Sequence, residues 1–419
     1  MEPNQSSVAP RDHALDALRA VMMLLGIVLH VSLPYNSWKP GMGWAFKDTQ
    51  NTAVFLDWVW DFIHSFRMPL FYLIAGYFAA MLLQKRGLMG LFEHRVRRIA
   101  LPFLAGLVFL YPLTVWSSLY SYHVFKGSEH PMARAWAVLT SEKLYPLKHL
   151  LGQIRLRGVS VVGPGGHLWF LYYLFFFAVL AIGLTVVFQQ RPGWARALLR
   201  VFSAIIQKFW IGTLAFVLLY FGALVWMDSR GMPTPRVPMS WWIVADSETL
   251  KTFLVYFGFF AFGWIVFFSK TLVHLRRYPL WQCGAGLVLN IAVYRFHWPA
   301  QDMVLASFPG GATWTIALSI QALKALSAIL LIFGLLAFFL RFFNAPSARL
   351  HFLMQASYWM YLVHIPLACF LPGLFGGVQA PPGVVFVWVL MLTTTLSLLS
   401  YRYGVHNTFI GVFLQGRKK

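Results

Sequence analysis

Charge is scarce in this chain. Only 11% of its 419 residues are charged, against roughly 25% in soluble domains. What charge there is leans one way, with 34 Lys and Arg against 13 Asp and Glu. Together with 59% hydrophobic residues, that shortage excludes an ordinary soluble globular fold and makes the bilayer the chain's solvent. Cysteine is almost missing: Cys283 and Cys369 both sit in apolar runs, so there is neither a disulfide framework nor a zinc spacing. No G-x-G-x-x-G, Walker lysine loop, H-E-x-x-H or G-x-S-x-G is found. Intramembrane acids are too few, and paired broken helices too absent, to favour an ion-coupled transporter. Despite the formal charge of +21, nothing resembles a nucleic-acid module. The basic residues fall in short loops between apolar runs, which suits inner-leaflet retention and phosphate contacts.

What is present is a series of apolar runs. With helices as the only plausible spanning elements and a criterion of about 20 residues, about ten spans are expected: 14–34, 54–83, 99–122, 168–188, 209–227, 251–269, 279–296, 313–341, 352–375 and 383–404. The second and eighth are long enough to tilt or kink, the second at Pro69. The first run lacks a small-residue cleavage site and reads as a retained helix. Neither an internal repeat nor a separate soluble domain is visible, so the chain reads as one polytopic domain. Loop charge orients it. One set of loops holds Lys85, Arg86, Arg95, Arg97, Arg98, Arg191, Arg196, Arg200, Lys208, Lys270, Arg276, Arg277, Arg341 and Arg349; the other holds Lys39, Lys47, Arg230, Arg236 and Arg295. The richer side is expected to be cytoplasmic, with both termini there. The long 123–167 loop, on the outer side and also basic, runs against this, but long loops obey the rule weakly.

The polar residues inside the spans carry the chemistry. Residues 15–35, LDALRAVMMLLGIVLHVSLPY, hold Asp16, Arg19 and His30. Arg19 and His30 are separated by about three helical turns plus 20°, so they share a face at roughly 16 Å along the axis. Ionisable groups inside a span are costly, which marks a polar pathway or site; alternatively Arg19 snorkels to the headgroups and His30 only packs. The second span carries Asp57, Asp61, His64 and Arg67 along one side, and the ninth carries His364 at a similar depth. Histidine suits proton transfer near neutral pH, and Asp61 is placed to orient a ring or hold its charge. Arg95, Arg97 and Arg98 lie at the inner mouth of the third span, where guanidinium forks would take phosphates or simply retain the loop inside. His167 and Trp169, in GPGGHLWFLYYL, make either a sugar platform or part of an interfacial aromatic belt. Lys324 is anomalous in mid-span; it pairs with a carboxylate or lines the polar interior.

RDHALDALRAVMMLLGIVLHVSLPY resembles the opening helix of the acyltransferase-3 family of integral-membrane acyltransferases, whose signature of Arg, ten residues and His is matched by Arg19 and His30. Its second signature, Arg-x-x-Arg at the third helix, is matched by Arg95 and Arg98. DFIHSFRMPLFYLIAGYF, GHLWFL and SYWMYLVHIPL are similar to the glucan biosynthesis protein C subgroup, and the likeness runs from about residue 11 to 405. The resemblance implies an all-α integral membrane protein built around a central polar cavity. It implies a bacterial inner-membrane enzyme that carries succinyl from cytoplasmic acyl-CoA to hydroxyls of periplasmic glucans. Acetyl transfer to another envelope polysaccharide, a polysaccharide or lipid transporter and a membrane scaffold are the other readings. Donor phosphates would dock on Arg95, Arg98 and Arg97 with Arg19 further along, and His30 would be the general base. His64 and Asp61 would assist, and Arg67 would hold the succinyl carboxylate with Asp61 as its resting partner. His364, His167 and Trp169 would contact substrate. No tightly bound cofactor, metal or nucleic acid is implied, the other partners being membrane lipids, and the sequence carries no signal for an oligomeric state.

Overall fold

The computed structural model describes residues 13–37, 44–141, 154–156, 159–161, 166–227, 247–307 and 311–415. Lys39, Arg230 and Arg236, which entered the topology above, lie outside them. The helices are α1 (His13–Ser32), α2 (Val54–Arg95), α3 (Leu101–Phe125), α4 (Pro131–Ser141), α5 (Trp169–Gln190), α6 (Pro192–Gln207), α7 (Phe209–Trp226), α8 (Ser247–Ser269), α9 (Pro279–Ser307), α10 (Gly311–Phe342), α11 (Ala348–Leu374), α12 (Pro382–Ser400) and α13 (Phe409–Gln415). A short antiparallel pair, Ile154–Leu156 with Val159–Val161, is the one strand element among the described residues.

Among the described residues, eight helical segments are long and apolar enough to cross a membrane. Nine of the ten expected ranges fall on these segments; the second, 54–83, stops twelve residues short of the end of α2 at Arg95. The tenth, 279–296, lies on α9, which is outside the eight and packs along α10. One segment, Val54–Phe125, has 72 residues. As a straight helix it would be about 108 Å long, several times a hydrocarbon core of about 30 Å. It must therefore turn. The expected kink at Pro69 is not where the backbone departs from helix: Pro69 stays inside α2, and the non-helical residue is Gly87, at φ 71°, a conformation that only glycine adopts without strain. A π-turn at Val96–Ala100 then leads into α3.

Burial separates the layers. α1, α10 and α11 are largely buried, whereas α7 and α12 turn Leu218, Leu219, Trp388 and Met391 outward, as a lipid-facing rim requires. α1 lies among α2, α10, α11 and α12. Close helix approach is made by small residues: a Cβ on Gly76 would meet the Phe260 carbonyl oxygen at 1.9 Å, and one on Gly263 that of Leu73 at 1.8 Å. These two glycines fix α2 on α8. Pro192 and Pro382 open α6 and α12, positions where a missing N–H costs nothing.

Candidate active site

The site is built along α1. At its inner end Arg19 pairs with Asp16 at 3.1 Å and lies over the Phe78 ring. Arg95, the last residue of α2, comes to the same place and feels the charge of Arg19. The Arg95 Nε and the neighbouring His94 Nδ1 are buried with no hydrogen-bond partner among the described residues. Arg98 is tied down differently: its guanidinium donates to the Leu414 carbonyl, and its own carbonyl accepts from the Tyr358 hydroxyl at 3.0 Å. Arg97 is exposed and stands apart from this cluster.

About three turns along α1, His30 is partly exposed, with a buried Nδ1 that has no partner among the described residues. Three other helical segments converge on it. His364 of α11 lies 5.4 Å away, centroid to centroid, and His167, at the start of α5, lies 5.4 Å from His364. His64 and Arg67 of α2 are within electrostatic reach. These residues form a tight cluster of imidazoles with one guanidinium in the interior of the bundle. Each neighbour has its orientation fixed. The His364 Nδ1–H donates to the Tyr361 carbonyl at 2.7 Å, which leaves its lone pair on Nε2, buried and unpartnered. His167 Nε2 donates to the Leu362 carbonyl at 3.2 Å, and the Tyr361 hydroxyl donates to the His167 carbonyl at 2.6 Å. His64 stacks on Trp60 at 4.6 Å.

Arg67 is buried, and its Nε donates to the Met22 carbonyl at 2.9 Å. Gly26 makes room for it, since a Cβ there would come within 2.5 Å of a terminal guanidinium nitrogen. No carboxylate pairs with Arg67 among the described residues. Asp61, expected to hold it, instead faces Lys324 and accepts a hydrogen bond from Asn290, whose Oδ1 also accepts from Trp58 Nε1. Asp61 and Arg67 are six residues apart on α2, about 600°, so they point to different sides. The same pairing answers the anomaly of Lys324. His167 and Trp169 also diverge: His167 joins the histidines, and Trp169 packs on Tyr173 and Tyr256. Three contributors were not singled out from sequence. Tyr361 had a signal, standing three residues before His364 on one helix face; Gly26 and Trp44, which stacks on His30 at 5.9 Å, had none.

The acyltransferase domain model of the acyltransferase-3 family matches residues 12–402. The chain belongs to the acyltransferase-3 family. This membrane acyltransferase is also similar to the glucans biosynthesis protein C of Salmonella paratyphi B, at 27% identity over 378 residues, covering 86% of this chain and 83% of that one. The protein of the same name in Salmonella heidelberg is 28% identical over 375 residues, with the same coverage. No solved structure matches the chain.

Proposed function

We propose that this acyltransferase moves a succinyl group from cytoplasmic acyl-CoA to a hydroxyl of a periplasmic glucan, with His30 as general base, in the bacterial inner membrane with both termini cytoplasmic. The observation that carries the reading is the partly exposed imidazole of His30, whose Nδ1 has no partner among the described residues. It lies on the α1 face that leads to a cationic mouth where Arg95 meets Arg19, with Arg98 about one turn on from Arg95. The Arg95 Nε–H, buried with no partner among the described residues, is a donor that a phosphate oxygen would take up, and the His94 Nδ1 beside it is likewise unpartnered there. An extended pantetheine arm is commensurate with the roughly 16 Å between Arg19 and His30.

His30 takes the proton of the acceptor hydroxyl as the oxygen attacks the thioester carbonyl carbon. The C–O bond forms, the C–S bond breaks, and the leaving thiolate receives that proton from His30. Direct transfer needs no covalent enzyme intermediate. His364 and His64 line the reaction space, and Arg67 receives the free carboxylate of the succinyl group. No tightly held cofactor is required for these steps. Acetyl transfer to another envelope polysaccharide is the second reading, and the Arg67 cation, without a carboxylate partner among the described residues, favours a donor that carries a carboxylate. The test is to incubate purified protein with succinyl-CoA or acetyl-CoA and a linear or cyclic β-glucan, following CoA release and glycan mass. His30→Gln should lower the rate by roughly 100-fold or more; a variant that remains active overturns the assignment.

A further inference from the structure

On sequence, Arg191, Arg196, Arg200 and Lys208 fall in a short loop between two spans; in the structure that stretch is a helix. α6 runs for 16 residues, about 24 Å. One residue joins it to each neighbour, Arg191 after α5 and Lys208 before α7. α5 and α7 are both long and apolar enough to cross a membrane. Consecutive spans reverse direction, so Gln190 and Phe209 emerge at the same surface of the bilayer. A helix tied so tightly at both ends cannot stand out into water. It must lie along that surface.

Its three faces suit that placement. One packs inward: Ile206 is buried, and the Phe202 ring lies 5.5 Å from Phe262 of α8 and 6.3 Å from Phe216 of α7. A second carries Trp194, Leu198 and Val201 at spacings of four and three, exposed at 69%, 42% and 60%. It is the same kind of surface that α7 turns outward as Trp210, Ile211 and Leu214. The third carries Arg196 and Arg200, both exposed, about 150° around the helix from the second. Acyl chains would cover the apolar stripe while the arginines reach the headgroups, and charge says which headgroups. No Asp or Glu occurs between Glu142 and Asp228. The turn Thr271–Arg276, which packs on α6, brings exposed Lys270, Arg276 and Arg277 to the same side. None of these cations makes an ion pair among the described residues. Arg196 and Arg200 spend only Nε on backbone carbonyls, of Pro192 at 3.3 Å and Arg196 at 3.4 Å, which leaves their terminal amino groups for phosphate oxygens.

We infer that α6 is an interfacial helix that binds anionic phospholipid headgroups through Arg196 and Arg200, with Trp194, Leu198 and Val201 sunk among the acyl chains. An acidic protein would meet the cations but would have to cover a stripe that already lies at the lipid boundary. The experiment counts lipids bound to the purified full chain by native mass spectrometry, as phosphatidylglycerol or phosphatidylcholine of equal chain length is added. The wild type should hold phosphatidylglycerol more tightly. Arg196→Gln and Arg200→Gln should each weaken it about fivefold and leave phosphatidylcholine unchanged, and added salt should shrink the difference. Both side chains are exposed, so neither change threatens the fold. Depth gives a second measurement, with nitroxide labels on Trp194→Cys or Arg196→Cys in a Cys283→Ala background; Cys369 is buried and takes no label. In phosphatidylglycerol vesicles the label at position 194 should be relaxed by oxygen dissolved in the acyl layer, and the one at 196 by a water-soluble nickel chelate. A phosphatidylglycerol affinity that neither arginine changes overturns the inference. So does nickel access at both positions, which would leave this face to a soluble partner.

Discussion

Replacing Arg67 by Met removes a buried cation that has no ionic partner among the described residues, and the consequence divides cleanly between donors. In the resting protein its Nε is occupied by the Met22 carbonyl at 2.9 Å, which leaves the two terminal amino groups for a ligand. A carboxylate meeting such a fork makes charge-assisted hydrogen bonds of about 1.5–3 kcal/mol. At 1.36 kcal/mol per tenfold, kcat/KM for succinyl-CoA should fall by roughly 10- to 150-fold. Acetyl-CoA, with no carboxylate, should be affected only a few-fold, so the ratio of the two donors is the quantity to measure. Stability provides an independent reading. Breaking a buried ion pair costs about 3–5 kcal/mol because a charge is stranded, but Arg67→Met strands none, so the melting temperature should stay within a few degrees. Gly26→Ala is the companion variant. Its Cβ would sit 2.5 Å from the guanidinium, so the group must shift without losing its charge, and succinyl-CoA alone should be affected. Equal losses with both donors, or a collapse in melting temperature for Arg67→Met, would show that Arg67 holds the helices and not the substrate.

Other expectations follow from the same geometry. Lys324→Met alone should destabilise by about 3–5 kcal/mol by stranding Asp61, and the double change Asp61→Leu with Lys324→Met should recover most of that; thermal unfolding of the three variants checks it. Arg95→Gln should raise KM for acyl-CoA about tenfold while leaving a short pantetheine thioester, which lacks the nucleotide phosphates, unchanged; parallel losses would remove Arg95 from the phosphate site. Burial lowers the Lys47 ammonium from its ordinary value. The folded protein therefore binds fewer protons there than the unfolded chain, and stability rises with pH as the ordinary lysine value is approached. The stability gap between wild type and Lys47→Met should accordingly narrow in alkaline buffer, and a gap that widens would contradict the sign.

The family signatures led from sequence to His30, Arg19, Arg95 and Arg98, and the helical period put the first two on one face. That period is a local property of the backbone, so no tertiary knowledge was needed. Depth arguments likewise placed His64 and His364 near His30, because length along a span converts directly into height in the membrane. Partner choice was another matter. Asp61 is a neighbour of Arg67 in sequence, yet it faces Lys324, more than 260 residues away in the chain. His167 and Trp169 are two residues apart and go to different neighbours, since adjacent side chains at a helix start leave in different directions.

Hydropathy by itself determined that this is a bundle of spanning helices, and an eleven-residue interval determined that a cation and an imidazole share one stripe of α1. Both follow from the fixed rise and rotation of the helix and from the cost of polar groups in lipid. Only the tertiary structure decided which stripes meet. It seated Arg67 against Gly26, because a missing side chain is visible as room only when another helix fills it. It also brought Trp44 to His30, a contact set by close packing across the bundle and not by any spacing along the chain.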